Sequence, residues 1–542
     1  MKNYSALLIV AISMFIFALN ASMMNVAMTT LAQDLNTEIQ YIQFAIACYA
    51  LVIAAFILLG AKLAAIYGAK RIFMIGVILF AIGMLTASLS QNVVMLTVGW
   101  SVIAGLGAAL IVPTGVILLM QNYEGKARAS AFAVFSAVYV GSAAIGPLVG
   151  GAFTTYLSWR WAFFMLLVLD VIILVSSRLV KGQKGSRRAK VDVAGVLLSA
   201  VGFFSVALGV IFTTKYGWWE ATKPFVIGGV EIAPFGLSIA PVLMITGAIF
   251  LLLFVLWERR QEQKGREPLL PFSLIKNRPY MAGGGVAGIV NMSFGALFFC
   301  LPVFLQSILF LNAMETGIIV MPLTIALMVM SLITPRLVAK IQARYLSIVG
   351  TVIAIIGTVL LANSFSADMA ITALIPGLVV YGLGMGLATA QLQNLTLSSV
   401  RVSEADEGAG LFNTFRNLGW SIGTALVGTL LITFFLSGMV LGINNSSVLP
   451  QEDKDTLTVV VTQNTVEMTR DEIAAEAKAI LGQYPPESAQ EIKAIAADAI
   501  GHSMRVTLYT IAGILGGSLI ASLFLPRRKL VPSAHEATGP PT

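Results

Sequence analysis

GSAAIGPLVGG, residues 141–151, sits inside a long apolar segment and sets Gly141, Gly146, Gly150 and Gly151 around Pro147. Small residues at this spacing let two membrane helices approach backbone to backbone. A proline in mid-helix frees a backbone carbonyl, which neighbouring helices must satisfy. A generic packing face needs only GxxxG, and this longer string is more specific than that.

Working outward, the whole chain has the same character. Its 542 residues are 58% hydrophobic and 11% charged, with a mean hydropathy of +0.88. These values exclude a soluble domain. Apolar runs of about 20 residues are long enough to cross a bilayer. They lack strict alternation, so they read as helices and not as barrel strands. Cys48 and Cys300 both fall in apolar runs, where packing is their expected role and no disulfide framework is indicated. The net charge of +8 is spread over short loops, a pattern that fits membrane topology and not nucleic-acid binding. MKNYSALLIV at the start reads as a retained first helix, with no small-residue cleavage site.

Fourteen spans are expected, near 7–28, 40–61, 72–90, 95–120, 130–156, 161–180, 192–213, 236–257, 281–303, 316–334, 346–363, 370–398, 411–436 and 504–525. With the N-terminus inside, 25 of the 34 lysines and arginines fall on inside segments and eight outside; Arg416 lies within a span. Positive charge gathers on the cytoplasmic side, so both termini are expected there. The two most basic loops, 181–191 and 258–278, bracket spans seven and eight. The expected organisation is therefore a six-helix bundle over 1–181 and a two-helix insert with its linkers over 182–280. A second six-helix bundle follows over 281–525, then a cytoplasmic tail over 526–542. KLAAIYGAKR (62–71) and RLVAKIQARY (336–345) occupy equivalent loops of the two halves. Such halves flank a central site in secondary transporters. The outside loop 437–503 carries two capping-box patterns, at Thr469–Glu472 and Ser488–Glu491, and is expected to form a pair of short amphipathic helices.

Taken in order, these stretches resemble the fourteen-span drug:proton antiporters of the major facilitator superfamily. ASMMNVAMTTLAQDL (21–35) is similar to the end of that family's first span, and QFAIACYAL (43–51) to its second, with Tyr49 in the usual tyrosine place. GLGAALIVP (105–113) matches the fourth span, GPLVGG and SWRWAFF (158–164) the fifth and sixth. PLLPFSLIKNR (268–278), GIIVMPL (317–323), GLGMG (382–386) and GAGLFNTFRNLG (408–419) follow in family order. The stretch 141–151 resembles the family's antiporter motif. The resemblance implies an all-α membrane protein of the major facilitator fold, with two six-helix bundles plus two extra helices. It also implies export of small amphipathic or drug-like compounds by alternating access, with protons as the driving ion. The chain departs from the pattern at charged positions. Asn20 stands where the family commonly has an aspartate, Ala61 and Ala65 where it has a glycine and an aspartate, and Ser101 where it has an arginine.

The candidate site residues follow. Asp170 is the one acid expected deep in a span, and intramembrane acids are costly and usually functional; it is the candidate proton carrier, unless a neighbouring helix satisfies it or the span is shifted so that it lies near the end. Asn20, Asn25, Tyr49, Tyr139, Asn291, Gln391 and Asn394 are candidates for lining a substrate cavity, interhelical hydrogen bonding being the alternative. Arg416 is a further candidate that could attract an anionic group; its alternatives are pairing with an acid or a stem that snorkels to the interface. Gln391 and Asn394, three apart, would share a helix face. Gly141, Gly146, Pro147, Gly150 and Gly151 are the packing candidates.

His502 and His535 lie far apart outside the spans, no Walker loop is present, and GLGMG lies in an apolar span and not after a strand. An enzyme, a metal site and a cofactor are therefore not expected. The expected partners are a small-molecule substrate, protons and the lipid bilayer of a cell membrane, inner or plasma, with a monomer as the expected state. Two other functions stay open: a transporter of a neutral or anionic metabolite that is uncoupled or differently coupled, and a non-transporting receptor or scaffold. The charge asymmetry makes a direct prediction. In Arg470→Cys a membrane-impermeant thiol reagent added from outside labels the protein, and in Arg187→Cys it does not. The reverse pattern inverts the orientation.

Overall fold

The computed structural model describes residues 5–525 except 124, 181, 183–191, 222–223, 228–229, 232–235, 266–271, 308, 310, 339, 366–369, 391, 401–404 and 464–484. Long helices dominate: α1 Ser5–Asp34, α2 Ile39–Tyr67, α3 Ala69–Ser88, α4 Val93–Asn122, α5 Gly125–Tyr156, α6 Trp159–Ser176 and α7 Val193–Tyr216. They continue as α8 Ile239–Gln263, α9 Arg278–Ser307, α10 Ala313–Val338, α11 Ala343–Ser364, α12 Leu374–Thr389, α13 Ala405–Asn445 and α14 Pro486–Ser522. Thirteen helices of the described residues are long and apolar enough to span a bilayer. The fourteenth, α5, is 32 residues long and packs along both α1 and α10.

The ends of these helices are set locally. Gly68 takes φ 93 at the α2–α3 corner and donates its N–H to Ala64 O, a left-handed C-cap natural to glycine. Side chains cap other starts: Asn92 accepts from Met95 N, Ser158 from Arg160 N, Asp192 from Gly195 N, and Ser238 from Ala240 N. Asp192 also accepts from Trp257 Nε1 at 2.7 Å, which ties α7 to α8.

The packing repeats between halves. The neighbours α1–α5, α2–α4, α3–α4, α3–α6 and α1–α6 have the counterparts α9–α13, α10–α12, α11–α12, α11–α14 and α9–α14. Two seams join the bundles, α5 against α10 and α2 against α13. The extra pair α7–α8 docks beside the second seam, where α7 touches both α2 and α13. There Val210 packs with Ala47 and Ala425.

Several expectations need correction. Spans thirteen and fourteen are much longer than 411–436 and 504–525. The stretch opened by Ser488 is no separate short helix but the first part of α14. A helix Gln451–Gln463, not expected, packs on α13. Met439, Ile443, Leu457, Ile492 and Ile495 form an apolar core among these extensions. Buried leucine and isoleucine on one face explain why the helices run on beyond the membrane-length core. The Thr469–Glu472 pattern lies outside the described residues. Span twelve is broken: α12 stops at Thr389, and a short helix Leu392–Leu397 follows. A two-residue hairpin, Val226–Ile227 with Val230–Glu231, sits in the α7–α8 connection. Within α4, Thr97–Ala104 winds as a π-helix.

Glycines set the distances at the first seam. A Cβ on Gly146 would overlap the Ser22 hydroxyl of α1, and one on Gly150 would lie 2.7 Å from Met23 O. On the other side of α5, a Cβ on Gly151 would lie 2.6 Å from Ala313 O, and one on Gly317 of α10 2.5 Å from Pro147 O. Gly141 is different, since a Cβ there meets only Met328 Sδ at 3.8 Å. Overpacking such a contact costs about 1–3 kcal/mol. Gly146→Leu is therefore expected to abolish transport and lower the melting temperature, whereas Gly141→Ala leaves both near the parent. Flux in proteoliposomes, normalised to protein abundance, checks this. Full activity of Gly146→Leu shows the contact to be dispensable.

Candidate functional site

Two polar groups lie at mid-depth in the helices. The first is enclosed in the first bundle. Asn20 of α1 is fully buried and accepts a hydrogen bond from Trp100 Nε1 at 3.0 Å. The π-helical stretch of α4 carries Trp100, and π-bulges often occur at functional sites. Tyr49 of α2 stacks on Trp100 with ring centres 5.0 Å apart and planes 6° from parallel. Phe163 of α6 leans on the other side of Trp100 at 6.3 Å. Asp170, two turns further along α6 on the same buried face as Phe163 and Leu166, is in electrostatic range of Tyr49. Asn20 and Tyr49 face each other closely enough to interact, whereas Asp170 Oδ2 is buried and finds no hydrogen-bond partner among the described residues. Unsatisfied buried polar atoms are rare enough to need a reason, and an ion, a proton or a water supplies one.

The positions that depart from the family pattern are filled by neutral bonds. Ser101 Oγ donates to Ala45 O at 2.7 Å, joining α4 to α2. Trp100, its neighbour, holds Asn20. A neutral indole–amide pair thus links α1 to α4. Asn25 is buried too, with Nδ2 donating to Ala21 O and Oδ1 unpartnered.

The second group lies across the seams. Arg416 of α13 is half-buried and directs Nη2 at Tyr139 Oη of α5 and Nη1 at Asn413 Oδ1, both at 3.5 Å. Tyr139 stacks on Phe17 of α1 at 6.3 Å. Phe17 and Asn20 are one turn apart on α1, so this group adjoins the first. Trp420, one turn beyond Arg416, leans on Phe298 at 5.9 Å. Asn291 is half-buried on α9 and donates to Ala287 O. Gln391 lies outside the described residues, as does the side chain of Asn394.

Sequence reasoning missed a set of hydrogen bonds between the bundles, two of them from glutamines near the Asp34 face, and a link within the first bundle at Asp34 itself. Gln306 of α9 donates to Val26 O at 2.7 Å and accepts from Thr29 Oγ1 of α1. Gln43 of α2 donates to Thr424 O of α13 at 2.7 Å. Ser421 Oγ and Thr414 Oγ1 of α13 bond to Ala47 O and Ala54 O of α2. Trp159 Nε1 and Arg160 both bond Asp34, the latter an ion pair at 3.5 Å. A lone glutamine near the end of an apolar span, once in each half, was the available signal.

The comparisons with known proteins agree with this architecture. A family model described as "Major Facilitator Superfamily" matches residues 10–424. The chain therefore belongs to the Major Facilitator Superfamily of membrane transporters. Among its relatives is the "Puromycin resistance protein pur8" of Streptomyces alboniger, 27% identical over 436 residues, covering 79% of this chain and 82% of that protein. The "Probable actinorhodin transporter" of Streptomyces coelicolor is 28% identical over 441 residues, 79% and 72% of the two chains. The "Multidrug transporter protein MdtP" of Bacillus subtilis is 26% identical over 425 residues, 78% and 74%. A solved bacterial homolog of the human lysosomal transporter Spinster, inward-facing and unoccupied, superposes with a TM-score of 0.60 at 14% identity, covering 98% and 99%. The chain is thus a multi-pass membrane transporter similar to drug and antibiotic exporters.

One prediction concerns the Gln306 bridge. Removing one partner of a buried hydrogen bond costs about 1–3 kcal/mol. Gln306→Leu strands Val26 O and Thr29 and should loosen the closed face. A cysteine placed at Thr29 then reacts at least several-fold faster with a thiol reagent than in the parent background. Unchanged reactivity shows that the bridge does not hold this face shut.

Proposed function

We propose that the chain is a secondary active exporter of small amphipathic compounds, working by alternating access as a proton antiporter. The observation that carries this reading is the repeated packing of two bundles that meet along α5–α10 and α2–α13. Such halves can rock about their seams around a central site. The polar bridges at the Asp34 face would open in one half of the cycle. Relatives named for puromycin resistance, actinorhodin transport and multidrug transport support a drug-like cargo.

In this reading both termini are cytoplasmic, the Asp34 face is extracellular, and the protein sits in the cell membrane. The six-plus-two-plus-six division at 181 and 280 belongs to the same reading. Asp170 is the proton carrier. It is buried near mid-helix, and no cation among the described residues neutralises it. It can therefore gain and lose a proton without first breaking an ion pair. Tyr49, in electrostatic range, is a candidate donor to its ionised form. A second reading, transport without proton coupling, draws on the neutral Asn20 and Ser101.

The test is flux into proteoliposomes with and without a pH gradient. The parent accumulates substrate only with the gradient, and Asp170→Asn abolishes uphill transport while sparing downhill exchange. Equal accumulation by both variants removes Asp170 from coupling. Equal flux with and without the gradient favours the uncoupled reading. Absence of any flux leaves a receptor or scaffold.

A further inference from the structure

We propose that Arg416, with Tyr139 and Asn413, is the recognition site for a carboxylate on the transported compound. The proposal rests on the exporter reading and names its substrate class.

Arg416 lies eight residues into the apolar span Gly408–Asn445 of α13, about 12 Å at 1.5 Å per residue. A charge at such depth is costly and is kept where it has a use. Its contacts do not use it up. A guanidinium offers five N–H donors, and here two reach only neutral oxygens at 3.5 Å, the outer limit of a hydrogen bond. Arg416 forms no ion pair with a carboxylate among the described residues. The neighbouring amides are already engaged: Asn413 Nδ2 bonds Ala409 O, and Asn417 Nδ2 bonds Asn413 O. Asp170 is sealed in the first bundle with Phe163 and Leu166 and does not reach this arginine.

The surroundings suit an acid with an apolar body. Phe17 backs Tyr139, and Trp420, one turn along α13 on the face of Arg416, leans on Phe298. An aromatic or amphipathic skeleton can lie against these rings while its carboxylate takes the fork of the guanidinium, a bidentate geometry that arginine matches well. Asn20 adds to the sign of the site, because at that mid-helix position of α1 there is no carboxylate to repel an anion or attract a cation. The geometry also makes binding productive. Tyr139 belongs to the first bundle and Arg416 to the second, so a carboxylate drawn between them replaces a weak contact across the seam and biases the packing of the two halves.

The test uses the purified full-length protein and three probes of one skeleton: 2-naphthoate, 2-naphthamide and 2-naphthyltrimethylammonium. Equilibrium dialysis measures binding, and proteoliposomes measure flux. The expected result is at least tenfold tighter binding of the naphthoate than of the amide. In Arg416→Gln that preference falls to near one while amide binding is unchanged. Arg416→Lys retains part of the preference, and Tyr139→Phe lowers it several-fold; both show that the protein remains folded. A preference that survives Arg416→Gln overturns the proposal. Transport of the ammonium or the amide with no preference for the naphthoate also overturns it, and leaves the exporter reading standing. Binding and flux of none of the three overturns the carboxylate site and the exporter reading together.

Discussion

The backbone contact of α5 with its two neighbours is the constraint on which the rest of the structure depends. In lipid no hydrophobic force drives helices together, so they associate by close packing and by hydrogen bonds between polar groups. Gly146 and Gly150 let α5 lie on α1, while Gly151 and Gly317 bring α10 against the opposite side of the same helix. One helix therefore serves as a wall of the first bundle and as half of the joint to the second. The symmetry-related joint uses different chemistry. Along α2–α13 the closeness comes from Gly428 beneath Gln43 and from serine and threonine hydroxyls bonded to α2 carbonyls. Within the second bundle, Gly419 and Gly423 let α13 lie directly on the α9 backbone. The helix that carries Arg416 is thus gripped from both sides, and this fixes the depth at which that arginine stands.

The second consequence is electrical. A cavity that handles cations needs an acid exposed to it. In this chain the buried Asp170 is shut into the first bundle, and Arg416, half-buried between the bundles, is positive. Neutral substitutions fill the gap without leaving holes. Trp100 occupies space beside Asn20 and supplies the N–H that Asn20 Oδ1 requires, and Ser101 turns its hydroxyl onto α2. A large indole at this point is accommodated by the widened π turn of α4. Asn20 is thus paired with Trp100, the neighbour of the replaced Ser101, and this neutral pair links α1 to α4 where a charged pair would require full compensation.

The legible part of this fold is the part written in hydropathy and glycine. Span number and the antiporter-like stretch follow from runs of apolar residues and from small residues at helical spacing, because membrane thickness and backbone sterics act locally. The extensions of α13 and α14 were not legible. Their polar-flanked stretches read as short amphipathic helices, and only the tertiary core of Met439, Ile443, Ile492 and Ile495 makes them continuous with the spans. The amide bridges were hidden for a similar reason. Gln43 and Gln306 look like isolated polar residues, and their partners lie on helices hundreds of positions away. Among the candidate site residues, Asn20, Asn25 and Tyr49 are sealed in the bundle interior and Tyr139 and Arg416 stand at the seam. That division depends on rotation of each helix about its axis, which composition does not specify.

Helix α1 connects the two polar groups. Its Phe17 stacks on Tyr139 at the seam, and its Asn20, one turn on, holds Trp100 inside the bundle. Any rotation of α1 that alters the Phe17–Tyr139 stack must also shift Asn20 against Trp100, since a helix turns as one body. Trp100 in turn is stacked on Tyr49, which is in electrostatic range of Asp170. Helix α5 meets α1 twice, through Tyr139 against Phe17 and through Gly146 and Gly150 against Ser22 and Met23. The seam and the interior of the first bundle are therefore tied to one rigid element, and a shift of α1 is felt at both.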